Sequence, residues 1–425
     1  MPHMSILRGL LILVVLAASG LGARAEEPAL EAFPEAWRAG VRRALAGSNG
    51  SVLRATYDDL DPDERRGWAF LLAHMRSGNL SRLTQPLLTE HLRYAYRARR
   101  ELARTKELPE EVFLHYVLPI LSGDEPLQLW RKRFYEEVVP VLKKKRVKSL
   151  EKAALEVNKW CGARVTFKPT PAQDSGPLDT LERGYGRCEE EGILYIAVAR
   201  ACGVPARMAS TPYWTFKASN HAWCEVYTGA PRKRTDRAWA FLGACEPAGR
   251  LNEAWFKGDV KRAAVVLSRA IGRPAGDEIL TQRGGYAVIN STRYYTRTCR
   301  MTLRVIDGEG RPASGAAVCL YIFNEVGGEP YLRSAFEAAT GEDGTFPFDL
   351  GPGDYVVQAR QSGTTGWAVA SSEPGKEAAC EIVLGQPAPD TASTSEEAEA
   401  GGVHIRLGPG GKDAKVAIAR LDTLP

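Results

Sequence analysis

Two residues combine side chains suited to nucleophilic catalysis with a suitable place in the chain. The first is Cys188, which follows a loop with two glycines and precedes a long apolar run, so we predict that it begins a helix. The run ends at Gly203 and Pro205, residue types that are common at a helix end. Backbone N–H groups at a helix start have no intrahelical partner and favour negative charge. Because this lowers a thiol pKa, Cys188 is a candidate nucleophile.

A cysteine nucleophile needs a base, and His221 is the one histidine of six that lies in a suitable pattern. It opens a predicted strand. Alternation along this strand predicts that Ala222, Cys224 and Val226 face the core. His221 and Trp223 then face the opposite side, where we expect a cleft. His221 is therefore the candidate base.

Both residues belong to a set of motifs that resembles the transglutaminase-like superfamily, and more closely its secreted bacterial members. The motifs are Gly-x-Cys at 186–188, Gly-Val-Pro-Ala-Arg at 203–207, His-Ala-Trp-x-Glu-Val at 221–226 and a strand led by Trp239. The resemblance spans roughly residues 110–265. It implies a papain-like α+β core with a Cys–His–Asp triad, in which Cys188 and His221 take the first two positions.

The third triad position departs from the family pattern. The Asp of the family lies four residues after the Trp of the strand, and this position is Gly243 here. Glu246 is the best carboxylate available beyond it. The resemblance therefore makes Glu246 the candidate third member.

Three aromatic residues are candidate walls of a substrate cleft. Tyr213 and Trp214 lie between the predicted helix and the predicted strand, and Trp223 shares the strand face of His221. The alternative is that these rings pack in the core, since large aromatic side chains contribute strongly to cores as well as to binding sites.

The expected chemistry is acyl transfer from an amide. Cys188 as thiolate attacks the carbonyl carbon and forms a thioester, while His221 protonates the leaving amine. The backbone N–H of Cys188 is a natural donor to the oxyanion. Water then completes a hydrolysis, which we favour, whereas a primary amine completes a cross-link. The residues do not select between these two acceptors.

Two functions without catalysis stay open. One is a silent transglutaminase fold that serves as a binding module, and the Gly at position 243 supports it. The other is a cell-surface scaffold whose C-terminal β-module is the functional part. Glu189, Glu190 and Glu191 bear on the choice, because acids in a first helical turn stabilise the helix but oppose a thiolate beside them.

Composition is that of an ordinary globular protein of two or three domains. The chain has 425 residues, of which 25% are charged and 44% hydrophobic. Residues 1–25 resemble a signal peptide, with Arg8, a short apolar core and an Ala-x-Ala site. The apolar core is too short for a membrane span, so we predict an exported, periplasmic or secreted protein. Removal of this segment lowers the net charge from +5 to +3, which does not favour nucleic-acid binding.

All eight cysteines follow the predicted cleavage site. They include no Cys-x-x-Cys pair and there is no histidine-rich cluster, so we expect neither a metal site nor a cofactor. An exported chain can form disulfides, but their pairing does not follow from the sequence. The expected partner is a protein or peptide substrate.

Changes of pattern divide the chain into six predicted segments with an α+β fold overall. Residues 251–269, after the Trp-led strand, are predicted to be helical. The short alternating strands of the fourth segment resemble carboxypeptidase-regulatory-like or Ig-like modules, which implies a cell-surface ligand or a spacer role. The segments are a signal peptide at 1–25, a helical region at 26–150, a transglutaminase-like catalytic domain at 151–285, a small β-sandwich at 286–385, a disordered linker at 386–402 and a short β extension at 403–425.

Overall fold

The chain has the expected α+β fold, in which helices come first and antiparallel sheets follow. The predicted signal peptide lies outside the described residues, and so does the predicted linker apart from Gln386. The computed structural model describes residues 28–217, 219–229, 238–283, 285–326, 329–386, 403–406 and 413–416.

The described chain has eight α-helices in its first part. Apolar residues from six of them share one core, whereas those of the eighth belong to the core of the nucleophile helix described below. The core shared by the six helices also takes in Tyr227, Ile271 and Tyr286 from the sheet described below, so the helical region packs directly against that sheet. The helices are α1 Glu35–Ala46, α2 Gly50–Asp58, α3 Pro62–His74, α4 Ser77–Leu80, α5 Gln85–Glu101, α6 Ala103–Lys106, α7 Glu110–Tyr116 and α8 Arg131–Lys144.

The nucleophile region combines three helices with a six-stranded antiparallel sheet of order β5-β4-β3-β6-β8-β7. The sheet runs past the predicted domain boundary at residue 285. The elements are α9 Leu150–Gly162, β1 Thr166–Phe167, α10 Pro177–Arg183, β2 Tyr185–Gly186, α11 Cys188–Ala201, β3 Ala206–Thr211, β4 His221–Tyr227, β5 Trp239–Leu242, β6 Leu267–Ile271, β7 Ile279–Arg283 and β8 Tyr286–Asn290.

Two buried arginines join the helical region to α11. Arg131 on α8 donates to the carbonyl oxygens of residues 117–119 at 3.0, 2.9 and 3.0 Å. Arg200 on α11 donates to the carbonyl oxygen of Leu121 at 2.8 Å. Buried carbonyl groups need donors, and one arginine offers several in a fixed geometry. The loop between α7 and α8 is therefore fixed to the helix that begins with Cys188.

The prediction of a helix at residues 251–269 is wrong. The structure has two 3-10 turns, Trp255–Lys257 and Val260–Arg262, and then an extended segment that leads into β6. Residues 263–266 are all 0% exposed, so this stretch has no polar face that an amphipathic helix would turn to solvent. Gly258 lies between the two turns and weakens helix formation there.

Seven further strands form two sheets that face each other across an apolar core. One sheet has the order β11-β10-β13-β14 and the other β12-β9-β15, with β15 parallel to β9. A separate antiparallel pair, β16 with β17, lies near the C-terminus. The strands are β9 Cys299–Ile306, β10 Ala317–Val326, β11 Glu329–Ala339, β12 Thr345–Leu350, β13 Gly353–Gln361, β14 Thr364–Ser372, β15 Glu377–Val383, β16 Val403–Arg406 and β17 Asp413–Val416.

This sandwich contacts the loop that precedes β4. Asn324 on β10 donates from its side-chain amide to the carbonyl oxygens of Trp214 and Lys217, both at 2.9 Å. A second hydrogen bond joins the sheet to the sandwich: the side-chain amide of Asn290 on β8 donates to the carbonyl oxygen of Asp349 on β12 at 2.7 Å. The C-terminal sandwich is therefore bound to the sheet by directional hydrogen bonds.

A buried ion pair joins the strand that carries His221 to its neighbour β3. The Nε atom of Arg207 on β3 lies 2.6 Å from Oε2 of Glu225 on β4, and the side chains are 0% and 2% exposed. The hydroxyl groups of Ser268 and Tyr295 donate to the Glu225 carboxylate at 2.8 and 2.7 Å. The pair thus links β3, β4 and β6 with all its charge satisfied, which is the condition for a tolerable buried pair.

We predict that Arg207→Leu lowers the free energy of unfolding by about 3–5 kcal/mol, because it leaves a carboxylate buried without its partner. Urea unfolding followed by tryptophan fluorescence measures the loss. The matched control is Arg304→Leu, which breaks an ion pair whose side chains are 54% and 50% exposed and is expected to cost about 0–1 kcal/mol. Equal losses in the two variants would contradict the importance of the buried pair.

Candidate active site

Cys188 is the first residue of α11, as predicted. The start of the helix is anchored by Glu190, which is 0% exposed and accepts the backbone N–H of Arg187 at 3.1 Å. The same carboxylate accepts the Thr170 hydroxyl at 2.5 Å and the backbone N–H of Ser175 at 3.2 Å. These bonds hold the pKa of Glu190 down at about 2 despite its burial. The loop and the helix start therefore form one rigid support for the thiol.

His221 is the first residue of β4, and the predicted alternation is confirmed. Ala222, Cys224 and Val226 belong to the core that contains α11, whereas Trp223 belongs to a separate cluster on the other face of the strand. Because side chains alternate along a strand, His221 lies on the face of β4 opposite to the one that packs against α11.

Cys188 and His221 line one open groove of about 880 Å³. The backbone amide of Ala222, the residue after His221, lies close enough to the Cys188 sulfur to lower the thiol pKa. The groove also contains Glu246 and Trp255. The structure therefore brings together the two predicted reacting residues and the predicted third member in a space that a substrate can enter.

The thiol of Cys188 is held in its protonated form. It donates to Oε2 of Glu189 at 3.2 Å. Burial, and then the Glu189 carboxylate, raise the pKa of the Cys188 thiol to about 12. The helix start alone predicted a lowered pKa, but a neighbouring carboxylate and the loss of water outweigh it.

The imidazole of His221 is held neutral. Burial is the main reason that the pKa of His221 is lowered to about 4; the charge of Glu189 acts against this shift and the charge of Lys217 acts with it. The ring lies among aromatic side chains, with centroid distances of 4.6 Å to Phe256, 4.8 Å to Trp255 and 5.8 Å to Trp223. Its buried Nε2 atom has no hydrogen-bond partner among the described residues. A neutral imidazole with a free ring nitrogen can accept a proton.

Glu246 lies in the groove, but its hydrogen bond goes to a tryptophan. The indole N–H of Trp255 donates to Oε2 of Glu246 at 2.9 Å, and burial raises the pKa of this carboxyl. Within the described residues no hydrogen bond joins Glu246 to His221. A Cβ atom at Gly243 would lie 2.7 Å from the same oxygen of Glu246. The glycine thus leaves room for the Glu246 carboxylate at the position where the resemblance leads one to expect an Asp.

Glu191 also lines the groove, a location that was not predicted for any of the three consecutive glutamates. Its side chain is 3% exposed, and Oε1 has no hydrogen-bond partner among the described residues. Burial, and then the charge of Glu246, raise the pKa of Glu191 to about 8. Residues three apart lie on the same helix face, so the i, i+3 spacing of Glu191 from Cys188 is the sequence signal that could have identified it.

The predicted aromatic walls are corrected by the structure. Trp214 and Trp223 are both 0% exposed and belong to a core cluster, so they do not line the groove. Tyr213 lines a neighbouring cavity of about 410 Å³. The exposed aromatic residues of the groove are instead Trp255 and Phe167, with 61% and 58% exposure. Alternation along a strand predicts the face on which a side chain lies but not how deeply it is buried, so the burial of these rings was not predictable.

The ring of Trp255 contacts the ammonium group of Lys217. The Nζ atom of Lys217 lies 5.5 Å from the Trp255 ring centroid and 2.5 Å from Oδ2 of Asp259. A cation over an aromatic face is favourable. The loop before β4 therefore contacts the wall of the groove as well as the strand of His221.

All eight cysteines are free thiols, and Cys188 is the one that is not buried. The described residues contain no cluster of histidine, cysteine, aspartate or glutamate that could hold a metal ion. None of the described helices has the length and apolar character that crossing a bilayer requires.

Comparison with known families agrees with the geometry of the groove. The sequence pattern of the Transglutaminase-like superfamily matches residues 141–243, which include Cys188 and His221. The chain carries a transglutaminase-like domain. Members of this superfamily are usually enzymes.

Individual relatives cover parts of the chain. A peptide-N(4)-(N-acetyl-beta-glucosaminyl)asparagine amidase of Eremothecium gossypii is 34% identical over 70 residues, which are 16% of this chain and 17% of that protein. A candidate cysteine protease of Cytophaga hutchinsonii is 20% identical over 36% of this chain and 50% of its own, with a TM-score of 0.26. Red sea bream transglutaminase is 10% identical over 60% of this chain and 57% of its own, with a TM-score of 0.26.

We predict that Glu189→Gln increases the rate at which iodoacetamide alkylates Cys188 at pH 8 by about tenfold, since a fall of one pKa unit raises the thiolate fraction by that factor. Mass spectrometry of timed samples gives the rate. Glu182→Gln changes an exposed glutamate on α10 and serves as the control. An unchanged or slower rate in Glu189→Gln would contradict the role of this carboxylate.

We predict that Glu191→Gln stabilises the protein increasingly as the pH rises. A carboxyl with a pKa of about 8 in the fold and 4.5 unfolded keeps an extra proton in the native state between these values. Stability of the wild type therefore falls with rising pH across this window, by up to about 5 kcal/mol, and glutamine removes that loss. Urea unfolding at pH 5, 7 and 9 measures it.

The control for this series is Glu342→Gln, an exposed glutamate in the turn before β12. Its unfolding curves should follow those of the wild type at every pH. Parallel pH profiles for Glu191→Gln and the wild type would show that Glu191 ionises normally in the fold.

Proposed function

We propose that this protein is an exported cysteine-dependent amide hydrolase that works through a thioester on Cys188. The observation that carries the proposal is the shared groove in which a thiol at a helix start and a histidine at a strand start lie on neighbouring backbone segments. The residue types, the open space and the transglutaminase-like domain all support the same reaction class. Export rests on the signal pattern of residues 1–25.

The neutral state of both groups favours a general-base route over a preformed ion pair. As the Cys188 sulfur attacks the amide carbonyl, His221 accepts the thiol proton at its free ring nitrogen. The C–N bond then breaks, and the imidazolium returns this proton to the leaving amine, which gives the thioester and a free amine. Glu189 must release the thiol before the attack, because the S–H group points to its carboxylate in the resting state.

Hydrolysis of the thioester completes the proposed cycle. His221 takes a proton from water, the hydroxide oxygen adds to the acyl carbon, and the thiolate leaves and is reprotonated, so that a carboxylic acid and the free thiol result. The backbone N–H of Cys188, at the start of α11, is the proposed oxyanion donor. We favour water over an amine because the groove is open, and aminolysis requires a site that excludes water. The amidase relative also supports hydrolysis.

We assign to Glu246 the task of orienting His221, through the ring of Trp255. The carboxylate holds the indole N–H at 2.9 Å, and the indole ring contacts the imidazole at a centroid distance of 4.8 Å. The space over Gly243 allows this carboxylate to take the place of the family's Asp. A third member that acts through another side chain is a positioning residue, and its loss should lower turnover without preventing acylation.

A silent fold that binds peptides is the second candidate function. The raised pKa of Cys188 and the lowered pKa of His221 favour it, because both groups rest in their less reactive forms. The proposed carboxylate also lacks a direct bond to the imidazole within the described residues. A C-terminal sandwich that binds a cell-surface ligand is compatible with either candidate.

The decisive experiment incubates the purified protein with a mixture of peptides of known sequence and follows their masses. Hydrolysis of a backbone amide creates new termini, hydrolysis of a side-chain amide adds about one mass unit, and added methylamine reports aminolysis by its own mass. We expect hydrolysis by the wild type, none by Cys188→Ala, and a rate at least about a hundredfold lower for His221→Ala. Equal product from the wild type and Cys188→Ala would refute the enzyme and favour the binding module.

Glu246 has a separate test that uses its neighbour at position 243. Glu246→Ala should lower turnover at least about tenfold. The double variant Gly243→Asp with Glu246→Ala restores a carboxylate in the vacated space and should recover part of the loss. The single variant Gly243→Asp serves as the contrast, because its side chain would collide with Glu246. Unchanged turnover in Glu246→Ala would remove this residue from the mechanism.

A further inference from the structure

We propose that Glu191 and Glu246 form a subsite for an ammonium group of the substrate, beside the amide that reacts with Cys188. The inference rests on the proposed function, since it names the substrate class of the same groove: peptides with an aliphatic side chain that ends in a primary ammonium group. Nothing in the triad chemistry requires Glu191, so its position calls for a different explanation.

The first observation is the unsatisfied carboxylate of Glu191. This side chain lines the groove, is 3% exposed and has no partner for Oε1 among the described residues. A buried acceptor without a donor is strongly unfavourable, and native proteins contain few of them. A donor from a molecule in the groove would satisfy this oxygen.

The second observation is a second carboxylate at the same place. Glu246 lies near enough for its charge to raise the pKa of Glu191, although one of its oxygens already accepts the Trp255 indole. Two carboxylates that repel each other are both stabilised by a cation between them. Because the indole occupies Oε2 of Glu246, this carboxylate cannot offer both oxygens to a two-pronged guanidinium group, and an ammonium point charge suits the pair better.

The described residues supply no free cation to this pair. Among the described residues that line the groove, Arg187 is the one arginine or lysine. Its guanidinium forms ion pairs with Asp174 and Glu189 and donates to the carbonyl oxygen of Ala172 at 2.7 Å. Its charge is therefore already paired. The positive charge that the acid pair favours would therefore come from the ligand.

The third observation is the aromatic rim of the groove. Trp255 and Phe167 are 61% and 58% exposed, which is unusual for side chains of this size in a core-forming region. Aromatic faces attract cations, and they also contact the methylene stem of a long amine. A ligand with an aliphatic chain between these two rings and its ammonium group on the carboxylates would contact both the exposed aromatic side chains and the acid pair.

The subsite lies close to the reacting atoms. Glu191 follows Cys188 by one helical turn, and residues at this spacing have Cβ atoms about 5–6 Å apart. An ammonium group on Glu191 therefore belongs to the residue that supplies the acyl group or to its immediate neighbour. Glu191 and Glu246 would therefore select the peptides whose amide reaches the Cys188 thiol.

The test compares two reagents that form a mixed disulfide with Cys188 and release methanesulfinate: aminoethyl methanethiosulfonate, which is cationic, and sulfonatoethyl methanethiosulfonate, which is anionic. The seven other cysteines are buried, and Cys188→Ala shows how much labelling they contribute. The measured quantity is the ratio of the cationic to the anionic rate constant. Changes in thiol pKa affect both reagents and cancel in this ratio.

We expect the ratio to fall at least about tenfold in Glu191→Gln with Glu246→Gln, and to change by less than about threefold in Glu189→Gln. Glu182→Gln should leave it as in the wild type. A ratio that the double variant leaves unchanged would overturn the subsite. A wild-type protein that reacts no faster with the cationic reagent than with the anionic one would also overturn the subsite.

The labelling experiment needs no turnover, so the two proposals fail separately. A wild type that cuts no peptide but keeps a glutamate-dependent ratio refutes the hydrolase and supports the cation subsite. A wild type that cuts lysine-containing and acetyl-lysine-containing peptides equally, with a ratio independent of both glutamates, supports the hydrolase and overturns the subsite. Preference for the unacetylated peptides, lost in Glu191→Gln, supports both.

Discussion

The packing of the start of α11 against the start of β4 is the contact on which the site depends. Cys188 and His221 are far apart in the chain, and each is the first residue of its element, so only this contact brings them together. Cores on both faces of β4 hold it in place: Ala222 and Cys224 pack on the helix side and Trp223 packs on the other. Close-packed cores have low compressibility, so elements packed on both faces keep their relative positions. The groove is thus a fixed gap between two rigid elements.

Three consecutive glutamates at the helix start have three different environments. Glu189 accepts a hydrogen bond from the Cys188 thiol, and Glu190 anchors the loop with four polar contacts. Glu191 lies in the groove, and its Oε1 has no partner among the described residues. Successive helical residues point about 100° apart, so identical side chains meet unrelated neighbours. The three charges therefore act differently: Glu189 opposes a thiolate on Cys188, Glu190 supports the helix start, and Glu191 lines the groove.

Local patterns predicted the elements that carry the site, and tertiary contacts decided its chemistry. The helix that begins at Cys188 and the alternation along β4 follow from periodicity, which is encoded in neighbouring residues. The pKa of the thiol did not follow, because it depends on burial and on which way one carboxylate turns. The exposed ring of Trp255 was missed for a related reason: residues 251–269 look helical locally, whereas complete burial of residues 263–266 imposes an extended chain.

The contact between Asn324 and the loop before β4 makes the C-terminal sandwich part of the groove's support. Asn324 holds the carbonyl of Lys217, whose ammonium lies against the ring of Trp255, and that ring contacts His221. Three successive contacts thus lead from β10 of the sandwich to the imidazole. Selection that reshapes this β-layer would alter the mouth of the cleft without touching its nucleophile, so specificity and chemistry can diverge on separate parts of one polypeptide.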